Sequence, residues 1–154
     1  MKFSAQEEYG LRCLLQLARS GESMTIPEIS RVEGMSTTHV AKLLMILRKE
    51  GFIVSTRGQS GGYVLARKPE EIIVGDVLAA LGGKLYDQEF CNKHAGQLSI
   101  CTHAIDCSVR SLWQVVQTAV DNVLDRITLA DLLKEKDTPN VQFEALPRRL
   151  SVVG

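Results

Sequence analysis

Apolar residues recur at helical spacing in three separate stretches within the first fifty positions. Leu11, Leu14, Leu15 and Ala18 make the first stripe, opened by Ser4 with Glu7 three residues on and stopped by Gly21. That opening is a capping box, in which the serine hydroxyl serves a free helix N–H and the glutamate reaches back to the serine N–H. Thr25 and Glu28 repeat the device. Pro27 falls in the first turn, where its missing N–H costs nothing, and this short second helix runs to about Val32 before Glu33-Gly34-Met35 breaks it. Ser36 caps a third helix with Val40, Leu43, Leu44 and Leu47 on one face, Arg48 and Lys49 in its last turn, and Gly51 beyond. Helix, short helix, glycine turn and helix is the pattern of a helix-turn-helix.

The period then changes. Phe52 to Thr56 is β-rich, Arg57 to Gly62 is a turn, and Tyr63 to Ala66 is β-rich again, so a hairpin follows the third helix as the wing of a winged helix. Gly61 and Gly62 permit positive φ at its tip. Glu70 to Leu81 contains a fourth short helix, ended by Gly82-Gly83. Lys84 to Cys107 is irregular, and a 24-residue stretch of that kind inside a compact protein is usually functional or disordered. Leu112, Val115, Val116, Ala119, Val123, Leu124 and Ile127 mark an amphipathic helix of about five turns. Thr128 with Asp131 caps a short helix holding Leu129, Leu132 and Leu133. The fold class is therefore mainly α with a small β-hairpin wing. The chain divides into a winged helix-turn-helix over 1–82, a cysteine-bearing loop over 83–107, the long helix and its short follower over 108–135, and a tail over 136–154, mobile or strapped over the body.

A length of 154 residues suits about one domain that buries its core without staples. No apolar run approaches the ~20 residues of a membrane span, and the first residues lack the apolar core of a signal peptide, so a cytoplasmic protein is expected. Net charge is zero, but its distribution is uneven: residues 1–70 hold 10 Lys/Arg against 7 Asp/Glu, and residues 71–154 hold 8 against 11. A basic half beside an acidic one suits DNA contact by one part of the chain.

The first turn of the third helix offers Ser36, Thr37, Thr38 and His39, with Lys42 one turn on, where such helices present donors to base edges and phosphates. Arg57, Gly58 and Gln59 at the wing tip suit a minor-groove or phosphate probe. The bland alternatives are an ordinary polar helix face and a solvated hairpin arginine. Cys91, Cys101 and Cys107 lie 10 and 6 residues apart. A cytosolic thiol group of this kind points to metal or redox chemistry, not structural disulfides. The spacing favours a loop around an iron–sulfur cluster. Zinc and dithiol chemistry normally use Cys-x2-Cys pairs, which are absent, yet zinc, redox or inert thiols stay open on spacing alone. Cys13, inside the first helix, reads as a small buried hydrophobe. No nucleophile–base pair, phosphate loop or catalytic metal motif points to an enzyme.

Several of these segments, in order over roughly residues 1–135, resemble the IscR/NsrR/RirA group of bacterial regulators. They are Tyr9-Gly10-Leu11-Arg12, the turn from Ile29 to Ser36, Leu47 to Phe52, the wing from Arg57 to Leu65, Val74-Gly75-Asp76-Val77, the cysteine loop, and Ile127 to Leu132. The resemblance implies a DNA-binding homodimer whose long helix crosses between subunits, acting as a repressor on a palindromic operator. It also implies a 2Fe–2S or 4Fe–4S cluster, the former preferred, held by Cys91, Cys101 and Cys107. The first cysteine interval is longer than in most of the group. Where the IscR type has a histidine ligand three residues after its last cysteine, this chain has Arg110, which offers no lone pair. NsrR-like members use a carboxylate near the start of the first helix, which corresponds to Glu8 of the partner subunit; His103 and His94 are the alternatives. Cluster loss would then release the loop from the partner's first helix and change the angle between the recognition helices. The rivals are a cluster-free repressor responding to thiol oxidation or a small ligand, and an adaptor whose winged helix binds protein. No membrane and no small-molecule substrate is implied.

Overall fold

The computed structural model describes residues 2–134, except positions 60, 88, 99 and 104. Residues 135–154, and with them the tail over 136–154 expected to be mobile or strapped over the body, lie outside the described residues.

Both predicted capping boxes form. Helix α1 (Ala5–Ser20) starts where Ser4 Oγ accepts from the Glu7 N–H at 3.3 Å and Glu7 Oε2 accepts from the Ser4 N–H at 2.7 Å. Helix α2 (Ile26–Glu33) starts on Thr25 and Glu28 in the same way. Ser36 Oγ accepts from the His39 N–H at 3.2 Å to open α3 (Thr37–Lys49). Strands β1 (Ile53–Thr56) and β2 (Gly62–Leu65) pair antiparallel, with Ile53 opposite Leu65 and Thr56 opposite Gly62. The hairpin is not free-standing. Met24, between α1 and α2, bridges to Tyr63 through two backbone bonds of 3.1 and 2.8 Å.

The core lies where the apolar stripes converge: Leu14 and Leu17 of α1, Ile29 of α2, Val40, Leu43, Leu44 and Leu47 of α3, and Ile53 of β1 are all fully buried. Cys13 belongs to it, and burial pushes its thiol up to about 12.

The structure sets the bounds of three segments that the sequence only outlines. The stretch from Glu70 to Leu81 splits into a 3-10 turn (Pro69–Glu71) and α4 (Val74–Gly82). The break has a tertiary cause. Ile72 O accepts from the Leu129 N–H at 2.8 Å and the Val74 N–H donates to Ile127 O at 2.9 Å, so this backbone is engaged by a segment over fifty residues away. The irregular stretch contains one helical turn, α5 (Phe90–Lys93). The long helix α6 (Ser108–Leu124) begins one turn earlier than Leu112 and ends before Ile127, which lies in the turn to α7 (Leu129–Lys134). Leu129 carries α7 into the main core.

Helix α6 leans on the body through one buried residue, Gln117, whose Oε1 accepts from the Tyr86 N–H at 2.9 Å and whose Nε2 donates to Asp121 at 2.7 Å. Its apolar residues Val109, Leu112, Trp113 and Val115 remain 56, 53, 39 and 43% exposed.

The cap of α7 is pH-sensitive. Thr128 gives both its N–H (2.9 Å) and its hydroxyl (2.8 Å) to Asp131 Oδ2, which holds that carboxyl below its ordinary range. A lowered pKa means a contribution present above the ordinary carboxylate range and lost as pH falls through and below it. Asp131→Asn should therefore cost about 1 kcal/mol at neutral pH and progressively less as pH falls below the ordinary carboxylate range, checked by thermal melts across that range.

Candidate nucleic-acid interface and cysteine loop

The sequence placed the candidate base readers in the first turns of α3, and burial of the opposite face turns most of them outward. Ser36, Thr37, Thr38 and Lys42 are exposed. His39 is different: its ring packs edge-on against Tyr9 of α1, with centroids 5.5 Å apart, and is only partly accessible. Arg12 covers the same tyrosine, its guanidinium carbon 5.4 Å from the ring, while its Nε donates to Glu33 at 2.8 Å and Nη2 to the Glu33 carbonyl at 3.0 Å. Tyr9 and Arg12 thus tie α1 both to the end of α2 and to the start of α3. Neither was singled out for this in the sequence, because a contact between residues 9 and 39 leaves no local signature.

Arg57, Gly58 and Gln59 are exposed at the wing tip, as expected. The glycines of the tip play different parts. Positive φ falls on Gly58 (φ 108°), and neither Gly61 nor Gly62 has it. Those two are required by close approach instead: a Cβ on Gly62 would collide with the Met24 carbonyl, and one on Gly61 would lie 2.9 Å from the Gly58 oxygen.

In the loop between α4 and α6, Cys91 and Cys101 line one open cavity of about 330 Å³ with Tyr86, Asn92, Ile100, Arg110 and Gln114. Cys107 caps α6, its Sγ accepting from the Arg110 N–H at 3.3 Å, and Arg110 Nη2 donates to the His103 carbonyl at 3.1 Å. All three thiols are half-buried and unbridged. Tyr86, which sequence reasoning missed, has its phenol pushed up by desolvation first and then by Cys91, with which it shares a hydrogen bond. His94 stacks on Phe90 at 4.1 Å, and its Nδ1 lies 2.8 Å from the Phe90 carbonyl oxygen. Glu8 is exposed on the first turn of α1. Among the described residues, no three His, Cys, Asp or Glu side chains come close enough together to hold a metal ion. Three half-buried thiols suit iron–sulfur chemistry in number and softness. The loop supplies no fourth thiolate, and Arg110 cannot stand in for one.

Three helices followed by a hairpin, with a polar and basic outer face on the third, define a winged-helix transcription regulator. Residues 3–135 match the family described as Rrf2, iron-dependent transcriptional regulator. The chain belongs to this family, which comprises transcription regulators and not enzymes. It is similar to the protein rrf2 of Nitratidesulfovibrio vulgaris, 36% identical over 137 residues that cover 88% of this chain and 89% of that protein. It is also similar to the regulator IscR of Aliivibrio salmonicida, 30% identical with 92% and 82% covered. Among solved structures it resembles IscR of T. potens, with a TM-score of 0.69, 33% identity and 92% of each chain covered. The oxidised form of CymR from Staphylococcus aureus superposes with a TM-score of 0.67 at 29% identity, covering 90% of this chain and 100% of that one. No helix among the described residues is long and apolar enough to cross a membrane.

Proposed function

We propose that the chain is a cytoplasmic, homodimeric repressor that reads a palindromic duplex with α3 and the wing and senses redox state, iron or nitric oxide through an iron–sulfur cluster. Residues 1–82 form the DNA-binding unit, 83–107 the sensing loop, and 108–135 the dimerisation unit, with the tail over 136–154. Ser36, Thr37, Thr38, Lys42, Arg57, Gly58 and Gln59 contact DNA. His39 contacts DNA as well, from a ring that also packs on Tyr9. Cys91, Cys101 and Cys107 would hold the cluster, 2Fe–2S in preference to 4Fe–4S, with Glu8 of the partner subunit as fourth ligand and His103 or His94 as alternatives.

The observation that carries this reading is the pairing of Cys91 and Cys101 on one cavity wall at the head of α6, the helix that exposes an unpartnered apolar stripe. A second copy covering that stripe would lie beside the sensing loop. The cluster supplies a redox-active, oxidant-labile iron centre when bound. The chain's own part is mechanical. Tyr86 joins the loop to α6 through Gln117, Arg12 joins α1 to the end of α2, and Tyr9 joins α1 to the recognition helix, so a movement of α1 reaches α3 through a direct contact. For half-sites about 34 Å apart, a change in the angle between two recognition helices would cost several kcal/mol of specific binding.

A second reading has its own support. Two thiols sharing a cavity, without a metal-holding group among the described residues, also suit a cluster-free regulator switched by thiol oxidation. Iron and sulfide analysis with a native mass spectrum of anaerobically purified protein separates the two. The expected result is a coloured dimer carrying iron and sulfide, and Cys101→Ala should abolish both. A colourless, iron-free dimer whose DNA affinity responds to oxidant and to Cys101→Ala would establish the second reading. Affinity indifferent to both changes would refute sensing by this loop.

A further inference from the structure

Helix α3 carries a large apolar side chain that the fold does not use. Met45 is 64% exposed in mid-helix, while Val40, Leu43, Leu44 and Leu47 bury the opposite face completely. At about 100° per residue, Thr38, Lys42, Met45 and Lys49 fall on one line directly opposite that buried stripe. All four are exposed, and α3 contains no acidic residue. An isolated methionine between two lysines does not make the contiguous apolar patch a protein partner needs. It does match the major groove, where a thymine C5-methyl is the apolar feature of the base edges and phosphates line both rims.

We propose that Met45 is a specificity-determining residue that packs on a thymine methyl group in the major groove, with Lys42 and Lys49 on the flanking phosphates. The flexible, apolar side chain can reach an apolar spot among polar edges. This rests on α3 being the DNA-reading helix, and it gives the reader's middle turn a base preference that the polar first turn lacks.

The test uses the full chain and a duplex selected by it from a randomised pool. Each thymine of that duplex is replaced in turn by deoxyuridine, which lacks only the methyl group. At one symmetry-related thymine, affinity should fall about fourfold per half-site, the equivalent of one buried methyl. Met45→Ala should bind the thymine duplex more weakly by a similar factor and lose all discrimination against uracil there, while Met45→Leu keeps it. Lys42→Ala should weaken both duplexes equally. Because Met45 is exposed, the thermal midpoint should not change, so misfolding does not explain the loss. Indifference of the parent chain to every uracil, or an undiminished uracil penalty in Met45→Ala, overturns the proposal. Failure to select any duplex overturns the DNA-binding reading itself, and this inference with it.

Discussion

Gly62→Ala should lower the thermal midpoint by about 9 °C, corresponding to about 3 kcal/mol in a chain of this size. The cost comes from rigid backbone. The added Cβ would sit 2.6 Å from the Met24 carbonyl carbon and 2.8 Å from Ser23 Oγ, and the carbonyl cannot swing aside without breaking the bridge to Tyr63. Overpacking of this kind costs about 1–3 kcal/mol, and each broken backbone bond about 1 more. The damage should be local in its functional effect: helical circular dichroism persists, while DNA affinity falls because the wing has shifted. Gly58→Ala is the informative comparison. It meets nothing within 4 Å but must hold φ at 108°, so it should cost less and leave the bridge intact. Equal melting losses in the two variants would contradict this account of Gly62.

Lys42→Ala combined with Arg57→Ala should reduce affinity for duplex DNA on the order of 100-fold, since the proposed dimer would then lack four charges assigned to phosphate contacts. Salt dependence is the sharper measurement. With two fewer phosphates neutralised per protomer, the slope of log affinity against log salt should flatten by about 3.6. Both side chains are exposed and stand outside the core, so the melting temperature should stay near that of the parent. A slope unchanged by both substitutions would remove α3 and the wing from the DNA interface and favour a protein-binding adaptor.

Legibility of the candidate site followed the range of the interactions involved. The exposed donors of α3 were readable because helix periodicity alone separates Thr38 and Lys42 from Val40 and Leu44. The packing of His39 on Tyr9, thirty residues away, was not readable, because it leaves no local pattern. In the loop, the three cysteines announced themselves by type and spacing. Tyr86 did not, since an isolated tyrosine in an irregular stretch carries no pattern, and only the cavity reveals its bond to Cys91. Met45 sits at helical spacing from Thr38 and Lys42, and that spacing identifies it once the polar face is read as a whole and not as a first turn.

By itself the sequence determined the three N-terminal helices, the wing, the burial of Cys13 and the family resemblance. Capping boxes, apolar periodicity and turn residues act over three to seven positions, so they are written in the order of the residues. Only the tertiary structure decided why Gly62 is a glycine and where, within the stretch from Glu70 to Leu81, the fourth helix starts. Each of these depends on backbone that folding brings in from elsewhere: Met24 against Gly62, and Ile127 with Leu129 against Val74 and Ile72. Contacts across such distances depend on the closed core, and no local pattern encodes them.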